Sequence, residues 1–256
     1  MATETETKQT LTPEQELARR TRRSFLTLGL GAVVAVGAWR WLNIMPSDDS
    51  GDMIPAPLRR VLGFNEDVAR AAFFSDGHLA KTFPASAIGK LKINGEIGMD
   101  DPVDEAAWNL EVAPLGANGQ KLTLADVKAL PRYEETIEFK CIEGWSTVTQ
   151  FAGARFSEFT AKFAPGSEKA AFIGMRTPDE MYYVGVDMPS ALHPQTLLAY
   201  EMNGQPLTDR HGAPLRLVMP VKYGIKNLKR IARIEYTNEK PADYWAEQGY
   251  DYYAGL

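Results

Sequence analysis

Two features of this chain could do chemistry. The first is Cys141, the single cysteine among 256 residues. A thiolate is a nucleophile and a soft metal ligand. Standing alone, it allows no intramolecular disulfide and no zinc site built on several thiolates. It also excludes an iron–sulfur cluster held by four cysteines and a C-x-x-C-H haem attachment. Redox chemistry here would therefore need a non-covalent cofactor and a separate electron carrier. Considered alone, a cysteine on the apolar face of a strand is usually a small buried hydrophobe.

The second feature is a basic segment. From Arg210 to Arg233 the chain carries Arg210, Arg216, Lys222, Lys226, Lys229, Arg230 and Arg233 and no Asp or Glu. His211 adds a further donor. In a chain of net charge −5 this local excess calls for an anion. A solvated charged face is the plainer reading. The overall acidity argues against nucleic acid, whose phosphates require an excess of Lys and Arg. A bound phosphate, clamped by Lys, Arg and backbone N–H groups of a Gly-containing loop, fits better.

The elements that must position these groups can be read in outline. Thr123 to Asp126 has the form of a helix N-cap with an acidic first turn, and Pro131 ends that helix. From Thr136 to Cys141 polarity alternates, so Ile137, Phe139 and Cys141 share the inward face of a half-buried strand. A turn at Glu143-Gly144 follows. Ser157 to Phe163 reads as a helix closed by Pro165-Gly166, and Ala170 to Met175 and Met181 to Val186 as strands. Pro194 to Met202 reads as a helix stopped by Asn203-Gly204. Leu215 to Val221 and Ile231 to Tyr236 read as strands. Short helices mixed irregularly with strands indicate an α+β domain.

Cys141-Ile142-Glu143-Gly144-Trp145-Ser146 resembles the Cys-x-Glu-x-Trp-Ser segment of bacterial members of the sulfite oxidase family. His211-Gly212-Ala213-Pro214-Leu215-Arg216-Leu217-Val218-Met219-Pro220, continued by Lys222-Tyr223-Gly224-Ile225-Lys226-Asn227-Leu228-Lys229, resembles the same family's pterin-binding stretch. The resemblance spans roughly residues 70–250. It implies a sulfite oxidase-type molybdopterin-binding fold, with mixed sheets and short helices, and a molybdenum-molybdopterin cofactor. Cys141 would be the catalytic thiolate and the metal ligand. His211, Arg216, Asn227, Leu228 and Lys229 would hold the pterin and its phosphate. Phe74-Ser75-Asp76-Gly77-His78 loosely resembles a segment that reaches the pterin, so His78 is a further candidate. Thr177 falls about where relatives place a threonine at the metal site. His193 is expected to be structural, at a helix start. The tail from Tyr244 to Tyr250 is expected to pack on the core.

Within the family the chain is similar to short exported catalytic subunits of the methionine-sulfoxide reductase type. Members that oxidise sulfite carry arginines beside the metal cysteine, where this chain has Glu143-Gly144-Trp145-Ser146. Arg155 and Arg176 have no evident place in a substrate pocket. The resemblance implies reduction of sulfoxides or related S- and N-oxides by oxygen-atom transfer, in a monomer served by a separate haem-bearing membrane electron-transfer partner. A small-molecule oxygen donor or acceptor would be the substrate. Two other readings stay open: sulfite oxidation on the same fold, and a non-enzymatic exported protein that binds an anion. No general acid is identified, though Tyr223 and His211 are placed to be considered.

The N-terminus addresses location. Residues 1–18 are polar and expected to be disordered. Arg22-Arg23-Ser24-Phe25-Leu26 and the apolar run to Ala38 resemble a twin-arginine signal. Residues 1–45 are thus expected to be an export signal or retained anchor, 46–57 a Pro- and Asp-containing linker, and 58–256 the oxidoreductase domain. That domain would lie in the periplasm or on the outer face of the cytoplasmic membrane. A hydrophobic share of 45% and a charged share of 24% are ordinary for a chain with one folded core.

Overall fold

The computed structural model describes residues 12–44, 55–100 and 102–256. Residues 1–11, most of the polar start, and 46–54 of the expected linker lie outside the described residues. The chain begins with a continuous helix, α1 (Pro13–Ile44), and α2 (Ala56–Phe73) follows. Residues 13–18, expected to be disordered, are therefore helical. The apolar run and the arginines before it share one continuous 3.6-residue repeat with no Pro to break it.

Two sheets form the body. The first has strand order β2 (Gln120–Leu122), β1 (Leu110–Ala113), β10 (Arg233–Thr237), β5 (Phe172–Arg176) and β6 (Tyr183–Asp187). Its β1–β10 pair is parallel and the other pairs are antiparallel. The second has strand order β3 (Arg132–Lys140), β4 (Ser146–Arg155), β7 (Leu197–Met202) and β8 (Gln205–Pro206), with β9 (Arg216–Val218) also pairing β7. Short helices α3 (Leu124–Lys128), α4 (Phe156–Phe163) and α5 (Met188–Leu192) sit between strands, and α6 (Tyr244–Glu247) follows β10. The expected α+β class with mixed sheets is what the chain adopts.

The main core lies among Leu110, Phe156, Phe159, Ile173, Met175, Leu198, Leu217 and Ile234. A smaller cluster of Leu91, Ile137, Phe151, Leu197, Ala199 and Val218 backs β3 and β4, with Phe139 and Trp145 packed against it. The alternation from Thr136 to Cys141 thus faces a real interior. The cap at Thr123 is also as expected: its hydroxyl accepts from Asp126 N, and the Asp126 carboxylate accepts from Thr123 N.

One element differs in kind. Pro194 to Met202, expected to be a helix, instead gives strand β7. Leu197, Leu198, Ala199 and Tyr200 are all buried because β7 is covered on both faces, and a short apolar run of that sort has no period that separates strand from helix. Asn203-Gly204 does not stop a helix. Both residues have positive φ (51° and 72°) and make the two-residue turn between β7 and β8, the role for which Asn-Gly is favoured in hairpins. His193 accordingly caps the end of α5 rather than opening a helix. It is fully buried, and its Nδ1 accepts from Gln195 N.

The β4–β7 pairing shifts register between Ala152 and Gly153. A Cβ at Gly153 would stand 2.0 Å from Leu198 O and 2.6 Å from Ala199 Cα. Only glycine lets the two backbones approach so closely. Gly153→Ala should lower stability by about 1–3 kcal/mol, the usual range for overpacking. Chemical denaturation against wild type would measure it, and an unchanged midpoint would show that the strands separate freely.

Candidate cofactor site

The hairpin between β3 and β4 sets the position of Cys141. β3 ends at Lys140, which pairs with Ser146. Between them Cys141 N donates to Trp145 O at 2.9 Å and Gly144 N to Cys141 O at 3.1 Å, with Gly144 at φ +88°. Cys141 is a free thiol, 8% exposed, and Asn94 Nδ2 lies 3.7 Å from its Sγ.

Cys141 opens onto a cleft of about 850 Å³. One wall is the hairpin end, with Phe139, Ile142, Glu143 and Trp145. Opposite come Arg210, His211, Arg216, Asn227, Lys229 and Arg230, and the loop from Leu91 to Asp100 borders both. Trp245 and Tyr250 complete the rim. The cleft is thus built from loops and strand ends, where a rigid scaffold can present reactive groups.

The basic segment divides once its partners are known. Lys222 pairs with Asp187 at 3.2 Å and Lys226 with Asp243 at 2.5 Å, both buried. Arg230 pairs with Asp209 at 2.5 Å, and Arg233 lies 3.3 Å from Glu235. These four hold the segment to the rest of the fold. Among the described residues Arg210, Arg216 and Lys229 have no carboxylate within ion-pair distance.

Arg216 is the most telling of the three. It is 1% exposed, its Nη1 donates to His211 O at 3.0 Å, and its Nε is buried without a partner. Phe151 and Phe139 lie beneath the guanidinium, at 5.0 and 5.6 Å from ring centroid to Cζ. Burial pulls its pKa down to about 10. Lys229 is pushed down to about 8 by burial and by the neighbouring Arg216 and Arg230, and its Nζ donates only to the carbonyls of Asn94 and Arg210. His211 is pushed down to about 4 by burial, Arg216 and Lys229. A buried cation without a counter-charge is costly. These three side chains therefore favour an anion in the cleft.

Asn227 also lines the cleft. Its Oδ1 accepts from Met219 N at 2.6 Å and its Nδ2 donates to Tyr223 O at 3.0 Å, so it fixes the loop that carries Lys229. The structure therefore brings together Cys141, His211, Arg216, Asn227 and Lys229.

It does not bring His78, Thr177 or Leu228 to the cleft. His78 lies in an exposed turn closed by its N–H on Ser75 O at 2.9 Å, and Phe74 packs its ring against His193. That packing draws the segment toward α5. Thr177 is buried in the β5–β6 turn, where its hydroxyl donates to Asp179 and accepts from Tyr182 N at 3.1 Å. Leu228 belongs to the main core; its N–H donates to Lys226 O, and its carbonyl accepts from Leu217 N. Tyr223 is not a lining residue either.

Several lining residues were not legible beforehand. Asn94 and its neighbours lie in a loop with no periodicity, where the Asn94-Gly95 pair signals only a turn. Trp245 and Tyr250 were expected only to pack on the core. They do pack, with rings 5.2 Å apart, but they also face the cleft. Tyr182 lines it as well; its hydroxyl donates to Ile225 O, and burial raises its pKa, so it stays protonated.

The donor set suits a metal held largely by a cofactor: one free thiol and a cluster of unmatched cations. Residues 98–245 match the family model for the oxidoreductase molybdopterin-binding domain. The chain belongs to that family. It is a molybdopterin-binding oxidoreductase, and its cofactor is molybdenum-molybdopterin.

A relative from Azospira oryzae, named as a protein-methionine-sulfoxide reductase subunit, is 36% identical over 71% of this chain and 70% of its own length. The protein-methionine-sulfoxide reductase catalytic subunit of Campylobacter jejuni is 28% identical over 96% of this chain and 83% of its own. Among solved structures, the sulfane dehydrogenase SoxCD of Paracoccus pantotrophus superposes with a TM-score of 0.50 at 18% identity, over 64% of this chain and 46% of that one. At that identity the likeness concerns the fold alone.

The depressed His211 pKa has a measurable consequence. Because it lies below the free value of 6.5, the unfolded chain takes up this proton first as pH falls. The contribution of His211 to stability is steady above about 6.5, declines toward about 4 and then levels. In cofactor-free protein, His211→Asn should flatten the loss of Tm over that window. An identical pH profile in the variant would show that His211 titrates normally.

Proposed function

We propose that this oxidoreductase reduces sulfoxides, or related S- and N-oxides, by oxygen-atom transfer outside the cytoplasmic membrane. Cys141 would be the protein's ligand to molybdenum. Arg216, Lys229 and His211 would hold the pterin and its phosphate, and Asn227 would fix their loop. When bound, the cofactor supplies oxygen-atom transfer and the accompanying two-electron change. Reduction of one sulfoxide takes up two electrons and two protons and releases water.

What supports this direction is the kinship with subunits named for methionine-sulfoxide reduction, and Glu143 agrees with it. It lies two residues from Cys141 in the same cleft, and hydrogen bonds from Trp145 Nε1 and Asn94 hold its pKa below the usual carboxylate value. An ionised carboxylate repels a doubly charged substrate such as sulfite and tolerates a neutral sulfoxide. The nearest cation on that wall, Lys92, is 3.7 Å from Glu143 and so is already paired. Neither Arg155 nor Arg176 lines the cleft. Arg155 stacks on Tyr133 at 3.9 Å, and Arg176 on Tyr183 at 5.7 Å. The names of the relatives point to sulfoxide as well.

The remaining roles follow from the same reading. Asn94, against the thiolate, would tune and orient it. Electrons would come from a separate haem-bearing membrane partner serving a monomeric catalytic chain. The relatives' names as subunits support a division of labour of this kind. α1, which contains the Arg22-Arg23 pair ahead of its apolar run, would carry the domain outward by the twin-arginine route.

Steady-state turnover tests the direction. Methionine sulfoxide with a reduced dye should be consumed, while sulfite with an electron acceptor should be turned over far more slowly; faster turnover of sulfite would overturn the proposal. The cofactor assignment has its own check. Arg216→Gln should lower the molybdenum and pterin content of purified protein by roughly 10–100-fold, the range seen when a supporting partner of a metal site is lost. Full content in that variant would remove Arg216 from the site.

A further inference from the structure

Helix α2 is amphipathic in an inverted sense. Three of its charged residues, Arg59, Glu66 and Arg70, face the domain, while Arg60 and Asp67 are exposed beside the outer face. Arg59 Nη2 donates to Ala246 O at 2.9 Å, Glu66 is buried 3.1 Å from Lys240, and the Arg70 guanidinium lies 5.1 Å from the Tyr253 ring centroid. The apolar residues face outward. Val61, Phe64 and Val68, spaced i, i+3, i+7, lie on one face, and they are 55%, 66% and 43% exposed. Ala71 and Ala72 are exposed as well, and exposed Arg60 flanks the stripe. An ordinary surface helix does the reverse. An apolar stripe turned outward and rimmed by polar residues marks an interaction surface.

What covers it follows from the chain just before. Leu17–Trp41 is long and apolar enough to cross a membrane and is wholly exposed. Its uncharged stretch from Ser24 to Trp39 spans about 24 Å as a helix, so it reaches across the ~30 Å hydrocarbon core with Arg23 and Arg40 snorkelling to the two interfaces. Arg19, Arg20, Arg22 and Arg23 cluster at its start, and Trp39 and Trp41 lie at its end. Basic residues stay on the cytoplasmic side, and tryptophans settle at the interface. Such a helix would leave the bilayer at its outer surface near Ile44. The tether from Ile44 to Ala56 reaches at most about 40 Å, and α2 is the first element of the domain that it delivers to the outer surface.

We propose that α2 is an interfacial helix that lies on the outer leaflet through Val61, Phe64 and Val68 and seats the domain against the membrane. The docking has a consequence for the site. The carbonyl that Arg59 grips belongs to α6, whose Trp245 lines the cleft. Membrane contact thus holds the cleft rim one helix away from the lipid, within reach of a membrane-borne electron donor. The inference rests on the proposed export with α1 retained as an anchor, and not on which substrate is turned over.

The test uses the full chain in vesicles of phosphatidylethanolamine and phosphatidylglycerol. An environment-sensitive NBD label is placed at Phe64→Cys or at Lys121→Cys, with wild type controlling for labelling of the buried Cys141. Lys121 is on β2, at the sheet edge opposite β6. The label at 64 should be blue-shifted and quenched severalfold more strongly by doxyl-labelled lipid than the label at 121. Adding Val61→Asp and Val68→Asp, both at exposed positions, should abolish that difference. Equal quenching at 64 and 121 would overturn the proposal, as would a label at 64 that is shielded from water but not quenched by lipid. The latter result would assign the stripe to a protein partner or a second copy.

Discussion

Arg216 concentrates the constraint on which this structure turns. A guanidinium has been taken out of water, laid against Phe151 and Phe139, and given a backbone carbonyl but no carboxylate. Lys229 and His211 are beside it, each with its charged form disfavoured by burial and by its cationic neighbours. Such a group is tolerated only because something else in the protein's working state supplies the negative charge. In the proposed reading a pterin phosphate would do so, and its binding should relieve the strain on all three side chains together. Cofactor loading and stability are then linked quantities, since whatever binds only the folded chain stabilises it.

The rest of the fold can be understood as holding the two walls of the cleft in register. On one side the β3–β4 hairpin delivers Cys141 through a turn closed by Gly144, and the Gly153 shift lets β4 pack closely on β7. On the other, the buried Lys222–Asp187 and Lys226–Asp243 pairs tie the basic loop to β6 and to the C-terminal tail. Buried pairs of this kind are weak sources of net stability but costly to break one-sidedly. Their value here is geometric: they fix Asn227 and Lys229 opposite the thiolate. Lys229 also reaches across to Asn94 O, whose side chain meets Cys141 Sγ, so one short chain of contacts joins both walls.

Much of this was legible because it is local. The alternation up to Cys141 and the turn after it are written in consecutive residues, as is the Thr123 cap. The His211–Lys229 stretch carries its chemistry in residue types at close spacing. What failed to show was non-local. β7 has no period of its own because both of its faces are covered, and only its neighbours make it a strand. The seven cations of the basic segment could not be sorted in advance, since the carboxylates that neutralise Lys222 and Lys226, Asp187 and Asp243, lie on other elements, and nothing local marks which cations Asp209 and Glu235 take up. His78 and Thr177 have suitable chemistry, but tertiary packing directs one toward His193 and commits the other to its own turn. Asn94 and Trp245 reach the cleft through loops and a tail, where sequence carries no periodic signal.

The central claim is that Cys141 supplies the protein's bond to molybdenum while the opposite wall holds the pterin. X-ray absorption at the molybdenum edge, with metal and pterin content measured on the same samples, tests it most directly. Wild type should contain close to one molybdenum and one pterin per chain, and Cys141→Ser should retain pterin while losing one sulfur from the metal's coordination shell. An unchanged sulfur shell in Cys141→Ser, or wild type devoid of molybdenum after expression in a host that makes the cofactor, would contradict the account.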